Sequence, residues 1–203
     1  MKLIEVYTQL FNGIWFAIAI NNQYVEASSF GKNQQTVIIN VLINIPFELP
    51  FQIFHEPTIT AKQALMHLKC IYDGKDVESN LSLATARLPT YTKKVLKATS
   101  SIPVGYVTSY GLIAKAVGGG PRAVGNIMAS NPFAPIVPCH RVVRSDLSLG
   151  GYGLGLDAKM ELLKREKRGF TSSREITINS ASLAVFPVEH VLRNFTTNFL
   201  GKS

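Results

Sequence analysis

The chain has 203 residues, 46% of them hydrophobic and only 17% charged, which excludes an intrinsically disordered polymer and leaves enough length to bury a core unaided. No apolar run approaches the roughly 20 residues of a membrane span, and two cysteines, Cys70 and Cys139, cannot form a disulfide framework. The net charge of +8 is gathered in the middle: residues 86–170 hold thirteen Lys/Arg against four Asp/Glu, while residues 1–85 hold five against seven and residues 171–203 three against two.

The opening Met-Lys-Leu-Ile-Glu-Val places an acid in its apolar stretch and lacks a small-residue cleavage site, so no secretory signal is expected. A free thiol suits a reducing compartment, and a cytoplasmic location is the expectation. Residues 14–20 and 24–30, on either side of Asn21-Asn22, predict a β-hairpin with an asparagine turn. Residues 34–45 have β-branched composition but the length of a buried helix, and helix is preferred. Pro46 and Pro50 interrupt the chain. Ala61, Ala64, Leu65, Leu68, Ile71 and Tyr72 then recur at helical spacing up to Asp73-Gly74. His55, His67 and Cys70 are too few and too loosely spaced for a structural zinc site, so no metal is expected there, and Cys70 fits a small buried hydrophobe. The polar stretch from Gly74 to Leu88, which includes Ser79, marks a domain boundary.

A helix over about residues 91–99 opens the second half. Ser109 can cap a helix over Tyr110–Val117 that Gly118-Gly119-Gly120 ends, and Pro121 suits the first position of another running to Ser130. Two short helices around a glycine turn, in a basic segment, outline a helix-turn-helix. On the second, Val124, Ile127 and Met128 form an apolar face; Arg122, Gly125, Asn126, Ala129 and Ser130 point outward. Gly125 and Ala129 admit two explanations: close approach to a narrow DNA groove with Arg122 projecting, or close helix packing within the protein.

The stretch Asn131-Pro-Phe-Ala-Pro-Ile-Val-Pro-Cys-His-Arg-Val-Val143 carries the chemistry. Its prolines forbid helix and present Cys139 beside His140, just before a strand-like Arg141-Val142-Val143. Residues 144–155 form a flexible, glycine-rich segment that lacks a phosphate-loop frame and fits a lip over a pocket. A helix over about residues 157–167 turns Leu162 and Leu163 inward with Glu166 on their side, and an inward carboxylate needs a partner. Residues 171–203 combine alternation at Ile176 and Ile178 with a possible terminal helix carrying Val191, Leu192, Phe195 and Phe199, as a docked or partly disordered tail.

Pro138-Cys-His-Arg-Val-Val143, Pro121-Arg-Ala-Val-Gly125, Asn131-Pro132 and Ser109-Tyr110-Gly111 together resemble the O6-alkylguanine-DNA alkyltransferase family over about residues 86–170. The resemblance implies an α+β protein: a small ribonuclease-H-like domain over residues 1–85, and a mainly helical DNA-binding and alkyl-acceptor domain over 86–170 with a helix-turn-helix and a short β-ribbon. Residues 171–203 are an extension of unknown role. It implies direct, irreversible transfer of the alkyl group from O6-alkylguanine, and O4-alkylthymine, in flipped-out nucleotides to Cys139, with no cofactor and as a monomer on double-stranded DNA.

The roles it implies are Cys139 as acceptor, His140 as base through a water, Glu166 as its orienter, Tyr110 as proton donor and Asn131 as hinge. Arg122 would be the finger filling the vacated stack, with Pro121, Ala123, Gly125, Asn126, Ala129, Ser130 and Arg141 also on DNA. Met128, Val142, Val143, Tyr152, Gly153, Leu154 and Gly155 would line the substrate pocket. Leu154 stands where some relatives have glycine, a departure that bears on large adducts, and the zinc ligands of some members are not recognisable. A damage-binding protein of the same fold, a cysteine hydrolase and a helix-turn-helix transcription factor are the alternatives. The retained Cys139 opposes the first, and neither of the others explains Arg122, Asn131 and Tyr110 together.

Overall fold

Asn12 and Gly13 adopt positive φ (49° and 80°) and close the first hairpin of the computed structural model, which describes residues 3–78, 80–178 and 180–200, with side chains through Phe195. Ser79 and the Phe199 side chain lie outside the described residues. The chain divides into two compact units: residues up to Tyr72 with Val77–Arg87 and Pro132–Ile136, and Asp73–Asp76 with Leu88–Asn131 and the chain from Val137 onward.

The first unit is built on a five-stranded sheet. Strands β1 (Ile4–Phe11), β2 (Ile14–Asn21) and β3 (Tyr24–Gly31) form an antiparallel meander, and Asn22 takes φ 57° in the second turn, where the asparagine pair predicts one. Strands β4 (Phe51–Phe54) and β5 (Ser82–Leu83) add in parallel at the two edges, giving the order β4-β1-β2-β3-β5. The ambiguous stretch is a helix, α1 (Gln34–Leu42), capped by the Asn33 side chain, which accepts from the Thr36 amide at 2.9 Å. Its Val37 and Val41 pack on Ile4, Val6, Ala17, Ala19 and Ala27, all fully buried, because period-2 strands turn alternate residues to the helix. Helix α2 (Ile59–Tyr72) buries the six apolar residues that its spacing predicts. Residues 132–136 join this unit through β3: the Ser28 amide donates to the Pro132 carbonyl and its hydroxyl to that of Ala134, both at 2.9 Å.

The second unit opens with α3 (Thr90–Ser100), then β6 (Tyr106–Ser109), α4 (Tyr110–Val117) and α5 (Pro121–Ala129). Ser109 caps α4 by accepting from the Leu112 amide at 3.2 Å; Gly118 and Gly119 take positive φ at its end, and Pro121 starts α5. A 3-10 turn (Cys139–Arg141), β7 (Val142–Val143) and α6 (Leu156–Arg165) follow. Residues past 170 form β8 (Arg174–Ile178), β9 (Ala181–Pro187) and α7 (Val188–Leu200). They complete a four-stranded sheet, β7-β6-β9-β8, in which β9 pairs with β6 through Tyr106–Pro187 and Val107–Phe186. Val188 and Val191 share a core with Val107, Val143 and Leu163, so this end of the chain is docked. Among the described residues no helix is long and apolar enough to cross a membrane, and no group of three or more His, Cys, Asp or Glu could hold a metal.

Candidate active site

Cys139 begins the 3-10 turn, where Pro138 (φ −79°) and the Cys139 amide, bonded to the Val137 carbonyl at 2.8 Å, set its direction. The thiol is buried. Asn131 points one amide at two acceptors: Nδ2 lies 3.1 Å from Cys139 Sγ and 3.0 Å from the Val137 carbonyl. Asn131, two residues past α5, therefore ties the helix end to the cysteine turn. Burial pushes the Cys139 thiol up, and the Asn131 amide, then the Lys159 ammonium, draw it partly back. At neutral pH it rests as a thiol.

His140 and Glu166 are both fully buried, and His140 Nε2 lies 2.8 Å from Glu166 Oε1. Burial lowers the imidazole's pKa, with Glu166 opposing and Arg141 and Lys159 assisting. Burial alone would raise the Glu166 carboxyl, but His140 and Arg141 hold it at about 2. A neutral imidazole facing a carboxylate must place its proton on Nε2, so Nδ1 carries the lone pair. Nδ1 is buried without a hydrogen-bond partner among the described residues. The inward glutamate has found its partner, together with a second one.

That second partner is Arg141. A DNA contact was expected, yet Arg141 is buried, with Nε and Nη2 on Glu166 at 2.8 to 3.0 Å and Nη1 on the Ile102 carbonyl at 2.6 Å. All three guanidinium nitrogens are thus engaged inside the protein, and the side chain faces Glu166. Val143, expected at the substrate pocket, packs with Leu163 and Val188 in a core cluster.

Tyr110, the first residue of α4, sends its hydroxyl to the Gly151 carbonyl at 3.3 Å. Burial, and then Cys139, raise its pKa, so the phenol stays protonated. Tyr152 meets the His140 ring edge-on at 6.4 Å between centroids, and its hydroxyl is buried without a partner among the described residues. Gly153 and Gly155 are exposed and Leu154 is half-buried.

One contributor is absent from the sequence reading. Lys159 is fully buried on α6, and its Nζ donates to the Val142 carbonyl at 2.6 Å and the Gly151 carbonyl at 3.1 Å. Burial lowers its pKa to about 8, against the pull of Cys139. It precedes Leu162 and Leu163 by three and four residues, so the spacing that places Glu166 inward would have placed Lys159 there too.

Helix α5 presents Pro121, Arg122, Ala123, Asn126, Ala129 and Ser130 to solvent. A Cβ added at Gly125 would meet nothing within 4 Å, so this glycine does not serve packing inside the protein. Val124 and Met128 face inward, the Met128 sulfur 3.6 Å from the Thr99 hydroxyl, while Ile127 is only half-buried.

Fold and site together define a mixed α+β protein with a buried, amide-held thiol next in sequence to a histidine that pairs with a buried carboxylate. The family model described as 6-O-methylguanine DNA methyltransferase, DNA binding domain, matches residues 90–168. A methylated-DNA–protein-cysteine methyltransferase of Mycobacterium leprae is 46% identical over 113 residues, covering 55% of this chain and 68% of that protein. That of Methanothermobacter thermautotrophicus is 38% identical over 111 residues, covering 54% and 63%. The match thus spans less than two thirds of this archaeal relative. Solved structures agree: the O6-methylguanine-DNA methyltransferase of Pyrococcus kodakaraensis has TM-score 0.62 and 27% identity, over 80% of this chain and 98% of that one. A Mycobacterium tuberculosis OGT in complex with DNA has TM-score 0.61 and 26% identity, over 80% and 92%. The chain belongs to the methylated-DNA–protein-cysteine methyltransferase family.

Proposed function

We propose that this protein repairs DNA by moving the alkyl group of O6-alkylguanine, and of O4-alkylthymine, onto Cys139, once per molecule. The carrying observation is the buried row Asn131–Cys139, His140–Glu166, in which an amide lies 3.1 Å from the thiol sulfur and a carboxylate 2.8 Å from the neighbouring imidazole. The sulfur–carbon bond forms as the carbon–O6 bond breaks. The thiol proton leaves to His140 Nδ1 through a water, and Tyr110 delivers a proton to the departing guanine, so the base leaves neutral. Glu166 keeps the reactive tautomer of His140 and offsets the imidazolium that forms. Asn131 and Lys159 stabilise the developing thiolate, Asn131 by hydrogen bond and Lys159 by charge. Water cannot displace the alkyl group from a thioether under these conditions, so the reaction ends with the cysteine consumed.

The reacting atom of a duplex base is inside the stack, and the nucleotide must rotate out at a cost of a few kcal/mol. In this reading α4 and α5 are a helix-turn-helix, with the small exposed face of α5 against DNA and Arg122 in the vacated stack. Double-stranded DNA is the partner of a monomer. The first 85 residues are a ribonuclease-H-like structural domain, residues 86–170 the DNA-binding and acceptor domain with its helix-turn-helix and short β-ribbon, and residues 171–203 an extension. Val142 and the 152–155 lip border the base, with Met128 beneath.

Intact-mass analysis after incubation with a duplex containing O6-methylguanine tests the reading: one methyl per chain, mapped to Cys139, followed by no further reaction. Continuous turnover, or an unmodified mass with tight binding, overturns it, the second result assigning a binding-only role. Arg122→Ala should slow repair in duplex far more than attack on free O6-benzylguanine, and equal losses would remove Arg122 from flipping.

A further inference from the structure

The family match ends at residue 168, yet the chain continues into a helix that reaches the substrate loop. Loop residues 148–152 have two differently furnished faces. On one, Gly151 gives its carbonyl to the Tyr110 hydroxyl and to Lys159 Nζ, and Gly150 (φ 66°) lies so close to Tyr110 that an added Cβ would stand 3.0 Å from its ring and hydroxyl. On the other, a mainly apolar cavity of about 950 Å3 separates Gly150, Gly151 and Tyr152 from Val191, Asn194 and Phe195 of α7. The helix is anchored at both levels: Val188 and Val191 belong to a core cluster against which Leu147, just before the loop, and Leu149 within it pack, and Asn194 Nδ2 donates to the Asp146 carbonyl at 3.2 Å.

We propose that α7 is a specificity-determining element, which sets the largest O6 substituent the site accepts by bounding the space into which the 148–152 loop gives way. The inference rests on the alkyl-acceptor reading and goes beyond it. A methyl group demands little room beside Cys139. A benzyl-sized group in a pocket bordered by Tyr152 and Gly155 displaces the loop; Tyr110 and Lys159 stand against it on one face, and open space lies on the face toward α7. Tyr152 and Gly155 also line the cavity, so its volume is available to that movement. Phe195 lines the cavity from α7 and limits the travel.

The test compares rates of mass gain with duplexes containing one O6-methylguanine or one O6-benzylguanine, for the unaltered chain, Phe195→Trp and Phe195→Ala, with melting temperatures as the check on folding. Methyl uptake by the unaltered chain tests the underlying reading separately. The larger indole should leave the methyl rate within about twofold and lower the benzyl rate about tenfold, the scale at which pocket volume discriminates. Phe195→Ala should move the benzyl-to-methyl ratio the opposite way. A ratio unchanged in both variants, or methyl and benzyl rates falling together, overturns the proposal. Should Phe195→Trp not fold, the Phe195→Ala ratio alone decides.

Discussion

Two cysteine–histidine neighbourhoods occur in this chain, and their surroundings differ. On α2, His67 stands three residues before Cys70; its Nε2 is buried without a hydrogen-bond partner among the described residues, and burial lowers its pKa. In the other unit His140 follows Cys139 directly, and burial lowers its pKa as well, but its Nε2 meets a carboxylate that Arg141 also holds. Burial alone therefore makes a neutral histidine and nothing more. What separates the two is the ionised Glu166, which decides the ring nitrogen that keeps its lone pair, and the Asn131 amide on the sulfur.

The largest expected effect breaks the comparison outright. Cys139→Ala should abolish mass gain from alkylated DNA while leaving DNA binding intact, whereas Cys70→Ala should react at the rate of the unaltered chain. Alkylation of Cys70 in either protein would reverse the assignment. Next, Glu166→Gln makes His140 resemble His67. The reaction should slow by about 10²- to 10⁴-fold, the typical contribution of a positioned base. Arg141 would also be left as a buried charge without its counter-ion, which costs about 3–5 kcal/mol. A rate loss with no fall in melting temperature would show that Arg141 does not depend on this carboxylate.

Much of the site could be read from residue order because its parts are local. Ser109, the glycine run and Pro121 delimit α4 and α5, since caps and breakers act within one turn of the helix end. The inward position of Glu166 follows from its spacing to Leu162 and Leu163. The same spacing applies to Lys159, whose acceptors, the Val142 and Gly151 carbonyls, are brought to it only by the tertiary fold. Strand β1 carries a strong short-range signal, the Asn12-Gly13 turn, to which the sequence reading gave no weight. Strand β6 had no comparable signal: it is four residues long and depends on pairing with β9, about 80 residues away in the chain. The destination of Arg141 was equally hidden. In a basic segment a guanidinium suggests phosphate, and only the tertiary fold brings Glu166 and the Ile102 carbonyl to it. Residues 132–136, adjacent to Cys139 in sequence, belong with β3, a partition set by the Ser28 bonds and not by composition.

Asn131→Ala gives a smaller effect. It deletes one amide that serves both Sγ and the Val137 carbonyl, and should cost about 1–3 kcal/mol in stability and slow the reaction about tenfold. Asn131→Asp should restore neither, since a carboxylate cannot donate to either acceptor and repels a thiolate. If alanine reacts at the unaltered rate, the amide is a structural tie only.

The last effect is read in stability and not in rate, and concerns the two buried charges of the site, whose pH windows run in opposite directions. Glu166 titrates near 2 when folded and near 4.5 in an unconstrained chain, so its contribution is fully present above 4.5 and fades as pH falls toward 2. Lys159 titrates near 8 when folded against 10.5 otherwise. Below pH 8 the folded protein bears the whole cost of its buried ammonium, about 3 kcal/mol at 1.36 kcal/mol per pKa unit. Between 8 and 10.5 the unfolded chain binds the proton that the folded chain has released, so stability from this group rises with pH. Melting temperatures of the unaltered chain, Glu166→Gln and Lys159→Met across that range should therefore diverge at opposite ends: the advantage over Glu166→Gln shrinks below 4.5, and the deficit against Lys159→Met shrinks above 8. Parallel curves for the lysine variant would mean that its ammonium is solvated in the folded protein, and would remove its charge from the stabilisation of the Cys139 thiolate.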